Sequence, residues 1–473
     1  MLLMSNTIKI LIVVHNLVKS FAMLQICWYN FRIGAKYMKE KKSNQNKQDK
    51  DYKNFINSKI NEYNNNGKKT IVYFCDTFYP LIDGVIKVLD NYAINMSKTY
   101  NVVVVVPKHK NKVVTKKKEY LVIGVSGMYF KFVNYDLAFP DVDKFLKSTL
   151  KNLRIDIIHA HSPFNMGKYA SALAKKRKVP FVMTMHSQYK YDFMKYTNNE
   201  SIVNMLLNNI VKVFSKSDEV WTMHEKVADA LRSYGYKGKF FFVPNATDYP
   251  VPKNPQQYEE FVNNKYNLPK DLPVFLFVGR LVLQKNLLFI LDALKILSDN
   301  NIDFRMFFIG DGPDKDELMK RIKENQLTGK VILTGRIDNR NELFSFYQRS
   351  NLFLFPSLYD TSSIVQIEAA TFKTPGVFIK DTVTAKTITN NHNGYTSENN
   401  VEDFAKVIMH ALDNKEELKL IGENAFKELY INYDDVAKII SDRYEYLIEK
   451  NNNKLRKLDA INKLKKDKKL RGV

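Results

Sequence analysis

From residue 70 onward the chain alternates short apolar runs with segments of helical periodicity, and that alternation leaves few folds open. The run 101–107 reads Asn-Val-Val-Val-Val-Val-Pro, apolar on both faces, as a strand must be when a parallel sheet is covered on each side. Comparable runs stand at 70–75, 156–160, 180–184, 219–222 and 240–243, with helical patterns at 86–97 and 171–176. The series then restarts, with strands expected at 274–278, 305–309, 331–334, 351–355 and 377–379 and a helix at 286–297. Between the two series lies the proline-bearing segment 243–252, Val-Pro-Asn-Ala-Thr-Asp-Tyr-Pro-Val-Pro. The pattern predicts an α/β chain of two Rossmann-like, doubly wound lobes facing a central cleft. Ligands of open α/β sheets bind beyond the carboxyl ends of the strands, so the informative residues should cluster there.

At 473 residues and 45% hydrophobic content, the chain is long enough for two buried cores. Its two cysteines, Cys27 and Cys75, exclude a disulfide framework and fit a reducing compartment. The net charge of +23 is concentrated at the ends: residues 1–70 carry 13 Lys/Arg against 4 Asp/Glu, and residues 449–473 carry 10 against 3. Such ends favour anionic partners, and an anionic membrane surface is the expected one. Nucleic acid is not expected, because the Lys-rich tail 454–471 lacks interleaved aromatics. A compositional bias toward Lys and Asn, wherever the surface tolerates them, is the competing explanation.

Residues 8–31 are mostly apolar but hold Lys9, His15, Asn16, Lys19, Ser20 and Asn30 within one helical arc, with Gln25 outside it. A spanning helix wants roughly 20 mainly apolar residues, so an amphipathic helix lying in a membrane interface fits this segment better, with a true span as the lesser alternative. The other alternative is a later start, for example at Met38, which leaves the segment without function. No small-residue cleavage site follows, so a secretory signal is not expected. The expected organisation is a hydrophobic, amphipathic segment at 1–38, a polar linker at 39–69, a first lobe at 70–250, a second at 251–432, a crossing helix at 433–450 and a basic tail at 451–473.

Strand 274–278 ends in Gly279-Arg280, and Lys285-Asn286 follows just before a helix. Two cations beside a helix N-terminus make an anion site suited to a diphosphate leaving group. Ile309-Gly-Asp-Gly-Pro313 reads as a tight turn whose glycines permit close backbone approach. In 356–370, Asp360 follows a strand and Glu368 stands eight residues on, within a helical run. Eight helical residues span about 12 Å, so Asp360 must lie in the loop before the helix if both acids face one polyhydroxylated ligand. The structural alternative makes 360–362 a helix cap and Glu368 an ordinary helix-face acid. In the first lobe, His161 and His186 each close a strand, where an imidazole can hydrogen-bond a sugar hydroxyl or a phosphate. No His-Glu-x-x-His, Gly-x-Gly-x-x-Gly, Walker A or Gly-x-Ser-x-Gly sequence is present, which weakens zinc-protease, nicotinamide, kinase and hydrolase readings.

Seven pieces in a fixed order carry a wider likeness: Phe78-Tyr-Pro-Leu-Ile-Asp-Gly84, His159-Ala-His-Ser-Pro-Phe164, Thr184-Met-His186, Val243-Pro-Asn245, Val278-Gly-Arg-Leu281 with Lys285, Gly310-Asp-Gly-Pro313, and 356–370. Together they make residues 70–450 resemble the retaining glycosyltransferases of family 4, which have the GT-B fold. The resemblance implies a nucleotide-sugar donor, most often UDP-linked, and transfer with retention of configuration, with no cofactor and no bound metal. It also implies a final helix crossing back to the first lobe. Residue by residue, it implies that Arg280 and Lys285 hold the diphosphate, Glu368 the ribose, and the peptide at Ile337 the base. Gly84, Ile364 and Val365 join them in the donor site, Asp360 addresses the donor sugar, His161 sits by the reacting centre, and His186 stands near the sugar or acceptor. Three positions depart from the family pattern: Asp360 stands for the usual Glu, Ser362-Ser363 for Phe-Gly, and Pro244-Asn245-Ala246 for Pro-Asn-Gly. The expected function is transfer of a sugar to a lipid or glycan acceptor by a cytoplasmic enzyme peripheral to the inner membrane face. The alternative is a catalytically silent GT-B partner or scaffold in an envelope glycan system.

Overall fold

A computed structural model of the chain describes residues 45–81, 84–109, 119–130, 135–194, 197–358, 360 and 364–470. The expected amphipathic helix at 1–38 and the pair Ser362-Ser363 lie outside the described residues. The chain divides between residues 65 and 66 into two compact units. The described part of the first is one helix, Gln45–Asn65, within the stretch expected as a polar linker. Tyr52, Phe55, Ile56, Ile60 and Tyr63 recur there at helical spacing, a period the dominant Lys and Asn content obscures.

The second unit contains two parallel sheets. The first joins β1 (Thr70–Phe74), β2 (Asn101–Pro107), β3 (Leu121–Val125), β6 (Ile157–Ala160), β7 (Phe181–Thr184), β8 (Glu219–Thr222) and β9 (Phe240–Phe242) in the order β3-β2-β1-β6-β7-β8-β9. A separate antiparallel hairpin pairs β4 (Gly127–Phe130) with β5 (Tyr135–Ala138). The second sheet joins β10 (Val274–Val278), β11 (Arg305–Ile309), β12 (Val331–Gly335), β13 (Leu352–Phe355), β14 (Gly376–Ile379) and β15 (Tyr395–Ser397) in the order β12-β11-β10-β13-β14-β15. Each order runs outward from a central strand, reverses, and runs outward again, which is the doubly wound arrangement. The reversal falls between β1 and β6 in one sheet and between β10 and β13 in the other. β3, the hairpin and β15 were not evident as strands: β3 is preceded by a lysine run and contains Gly124, and β15 has only three residues.

Aromatic packing dominates the second core, where Phe275, Phe277, Phe307, Phe308, Phe353 and Phe355 are fully buried. The first core is completed from far along the chain. A single helix, Tyr433–Leu470, inserts Tyr433, Val436, Ile440, Tyr444, Leu447 and Ile448 among the first lobe's strands and the helix Gly84–Met96. Burying each such side chain stabilises the lobe by about 1.5–3 kcal/mol, so the crossing is a structural part of that lobe. Polar clamps fix its register: Arg443 grips the buried Glu219 of β8 through two nitrogens, and Tyr100 bonds Ser441 and Glu445 at 2.9 and 2.8 Å. The expected crossing helix and the basic tail are therefore one continuous helix through residue 470.

Candidate functional site

The chemistry-bearing loops leave the sheets where strand order reverses. β10 and β13 are neighbours, and the loops beyond them carry 279–286 and 356–360. After a short 3-10 turn at Leu283–Lys285, Asn286 adopts a left-handed conformation (φ 60°), which Asn tolerates, and starts the helix Leu287–Asp299. This turn sets the Lys285 ammonium 2.9 Å from both carboxylate oxygens of Asp360 and 5.1 Å above the ring of Phe355. Arg280, on the same loop, is exposed and has no side-chain partner among the described residues.

Close backbone packing holds that loop in place. The Gly279 N–H donates to the Ile309 carbonyl at 2.9 Å, and the Leu281 N–H to that of Asp311 at 3.0 Å. A Cβ on Gly310 would stand 1.9 Å from the Gly279 carbonyl oxygen, and one on Gly312 would stand 2.1 Å from that of Leu281. Gly310 also has φ 142°. The two glycines of the 310–313 turn thus let it nest against the Arg280 loop.

Asp360 lies in the loop ahead of the helix Ile364–Thr371, as a shared ligand requires. Glu368 lies inside that helix and is 2% exposed, so it is not a surface acid. Its Oε2 accepts from the Tyr347 hydroxyl at 2.7 Å, while Oε1 is 3.8 Å from the Lys87 ammonium on the first lobe's helix Gly84–Met96. Ile364 packs on the first lobe's core and Val365 on the second's, so both side chains are committed and only their backbone groups remain for a ligand. Ile337, in the loop after β12, is partly buried against the second core. Gly84 opens its helix with empty space where a Cβ would stand, while the preceding residues 82–83 lie outside the described set.

In the first lobe, β6 and β7 bring three imidazoles together. His159 and His161 stack at 4.4 Å between centroids, and His161 stacks on His186 at 5.1 Å, with His161 Nδ1 2.9 Å from His186 Nε2. His159 is tied at both nitrogens, to the Tyr444 hydroxyl of the crossing helix and to Thr184. Tyr73 and Tyr92 meet His161 edge-on. Its Nε2 is buried with no hydrogen-bond partner among the described residues. Desolvation holds His159 and His161 well below the ordinary imidazole range and brings His186 down to about 3, so all three are neutral at pH 7.

At the reversal point of the first sheet, Asp76 follows β1 and is buried. It accepts from Ser162 Oγ at 2.6 Å and from the Met166 N–H at 3.1 Å, which ties β1 to the loop beyond β6. Burial pushes its carboxyl up to about 6, against the lowering effect of those hydrogen bonds. Asp76, Lys87 and Tyr347 were not singled out from sequence. Asp76 stands at a strand's carboxyl end and was findable by that rule, whereas Lys87 and Tyr347 matter through partners that no local pattern identifies. Among the described residues no group of three or more His, Cys, Asp or Glu is arranged to hold a metal ion.

Comparison with known proteins agrees with the two-lobed fold. A family model described as "Glycosyltransferase Family 4" matches residues 82–249, and one described as "Glycosyl transferases group 1" matches 259–428. The alpha-monoglucosyldiacylglycerol synthase of Acholeplasma laidlawii is 27% identical over 65% of this chain and 79% of its own length. An Escherichia coli UDP-Gal:alpha-D-GlcNAc-diphosphoundecaprenol alpha-1,3-galactosyltransferase is 25% identical over 63% of this chain and 77% of its own. Among solved structures, Anabaena HepE in complex with UDP and glucose superposes with a TM-score of 0.64 at 14% identity, covering 79% of this chain and 99% of that one. With two doubly wound lobes, both halves matched and the family's motifs at the strand ends, the chain belongs to the family 4 glycosyltransferases and has the GT-B fold.

Proposed function

We propose that the chain transfers a sugar from a UDP-linked donor to a lipid or glycan acceptor at the cytoplasmic face of a membrane, with retention of configuration and without a metal ion or other cofactor. The observation that carries this reading is the Lys285–Asp360 pair beside the unpartnered Arg280, at the reversal point of the second sheet. A donor diphosphate there meets two cations, which neutralise the charge growing on the leaving group as the glycosidic bond breaks. As Lys285 turns to the diphosphate, Asp360 is released to accept from the hydroxyls of the donor sugar. Glu368 offers Oε1 to the ribose, the N–H groups of Ile364 and Val365 face the phosphates, the peptide at Ile337 meets the base, and Gly84 leaves room for the donor. A sugar hydroxyl would also satisfy the orphaned Nε2 of His161, which His186 orients.

The names of the relatives support the acceptor class, one being a glucosyldiacylglycerol synthase and another acting on a diphosphoundecaprenol-linked sugar. The UDP carried by the HepE structure supports the donor class. Calorimetry with UDP, followed by turnover of a panel of UDP-sugars against a membrane extract, tests the reading. Transfer that falls at least tenfold in both Arg280→Ala and Glu368→Ala is expected. Full activity in both variants would overturn it.

A further inference from the structure

The helix Tyr433–Leu470 outruns the body it completes. Among the described residues its last hydrogen bond to the first lobe is Asn451 Nδ2 to the Lys178 carbonyl, at 2.8 Å. From 452 to 461 every residue is exposed except Leu455, which is partly buried. At 100° per residue, Tyr446, Lys450, Lys454, Lys457, Leu458 and Ile461 fall within an arc of about 120°. Tyr446, Leu458 and Ile461 are 48%, 45% and 48% exposed, which is unusual for three large apolar side chains along one helix face. Tyr446, Lys450, Lys454, Lys457 and Leu458 line one groove together with Glu449 and Asn453, so three lysines face it against one acid, and the Lys450 ammonium lies 5.5 Å over the Tyr446 ring. Both acids of this stretch, Glu449 and Asp459, fall outside the arc. The sequence continues with Lys463, Lys465, Lys466, Lys468 and Lys469 against the single Asp467.

We infer that this overhang, residues 446–461, docks the protein on an anionic lipid bilayer. Lysines interleaved with Leu458 and Ile461 on one arc suit an interface in which methylene stems and apolar side chains enter the acyl boundary while ammonium groups stay among phosphates. A second copy packed on the same face would bring Lys450, Lys454 and Lys457 against like charges, and a nucleic acid would leave Leu458 and Ile461 without apolar partners. Because the same helix supplies Tyr433 to Ile448 to the first lobe's core, docking it fixes how the whole lobe faces the bilayer. The inference deepens the membrane-face reading above, and it is tested without donor or acceptor, so failure of either leaves the other standing.

The test is co-sedimentation of the full chain with vesicles of phosphatidylglycerol and phosphatidylcholine in equal parts, against phosphatidylcholine alone. Wild type should pellet with the anionic vesicles only, and less so as salt is raised. Lys454→Gln/Lys457→Gln should lower the partition about tenfold or more, and Leu458→Ser/Ile461→Ser several-fold. Thermal unfolding unchanged from wild type confirms that both variants fold. The inference is overturned if wild type ignores anionic vesicles or if neither variant weakens binding. It is equally overturned if sedimentation equilibrium shows a dimer that Leu458→Ser/Ile461→Ser abolishes, or if the tail retains duplex DNA at physiological salt and not vesicles.

Discussion

The Lys285 ammonium stands 2.9 Å from both carboxylate oxygens of Asp360, so the cation and the acid proposed to meet the donor satisfy each other. Both side chains are mostly buried, at 17% and 20% exposed. A diphosphate must compete with Asp360 for Lys285. Asp360→Asn should therefore bind UDP at least as tightly as wild type while losing transfer activity, and Lys285→Ala should weaken UDP binding by tenfold or more. Calorimetry with UDP, beside turnover of a UDP-sugar, checks both. UDP binding that weakens in Asp360→Asn as much as in Lys285→Ala would mean the two do not exchange partners.

Glu368 presents a different balance. The Tyr347 hydroxyl bonds a carboxylate that is almost wholly buried, and Lys87 reaches it only at 3.8 Å from an exposed position. Tyr347→Phe should cost about 1.5–3 kcal/mol, the range for a lost hydrogen bond to a charged group. Lys87→Ala should cost about 0–1 kcal/mol, as exposed ion pairs do. Urea unfolding of the two variants separates them, and equal losses would contradict the asymmetry.

Much of this site was legible because its members belong to residue types that announce chemistry at the carboxyl ends of strands. Arg280, Lys285, Asp360, His161 and His186 each follow an apolar run, and within each sheet the doubly wound order brings those ends together: the two histidines in the first, the other three in the second. Glu368 was legible through its spacing from Asp360 and through the family resemblance. What stayed hidden depends on contacts between distant segments. Lys87 lies on a helix face whose partner is in the other lobe, and Tyr444 reaches His159 from the far end of the chain. The helix Gln45–Asn65 was obscured by its polar composition, and the continuity of Tyr433–Leu470 by a charge pattern that reads as a separate tail.

The histidine stack makes stability depend on pH in a stated direction. In the folded chain His159, His161 and His186 stay neutral well below 6.5, whereas in the unfolded chain each takes up a proton near 6.5. The unfolded state binds more protons, so this part of the stability is complete above pH 6.5 and falls as pH drops toward 3. Asp76 acts the other way: its folded value of about 6 lies above the ordinary 3.8, so between 6 and 3.8 the folded state holds the extra proton. Three groups outweigh one, and each uncompensated proton contributes about 1.4 kcal/mol per pH unit. Urea midpoints should fall from pH 7.5 to 5.5, and His186→Gln should flatten the dependence.

Gly310 and Gly312 are demanded by the loop they support. In either position a Cβ would collide with a carbonyl oxygen of the Arg280 loop. Gly312→Ala should destabilise the second lobe by roughly 1–3 kcal/mol through overpacking. It should also weaken UDP binding, because Arg280 and Lys285 move with their loop. A variant that loses stability but binds UDP unchanged would separate the turn from the donor site.

The crossing helix depends on a pair in which the two charges are unequally protected. Glu219 is 2% exposed at the side chain and Arg443 is 26%, with the guanidinium also lying 4.5 Å over Phe241 and 4.6 Å over Tyr446. Removing the cation leaves a carboxylate buried without its partner, whereas removing both leaves neither charge stranded. Arg443→Met should therefore cost about 3 kcal/mol, near the lower end for a broken buried pair because Arg443 is partly solvated. Arg443→Met combined with Glu219→Gln should recover part of that loss. A double-mutant cycle read by urea unfolding decides it: a double variant that loses as much as the sum of the singles would show that the two side chains act independently and that the clamp on the crossing helix lies elsewhere.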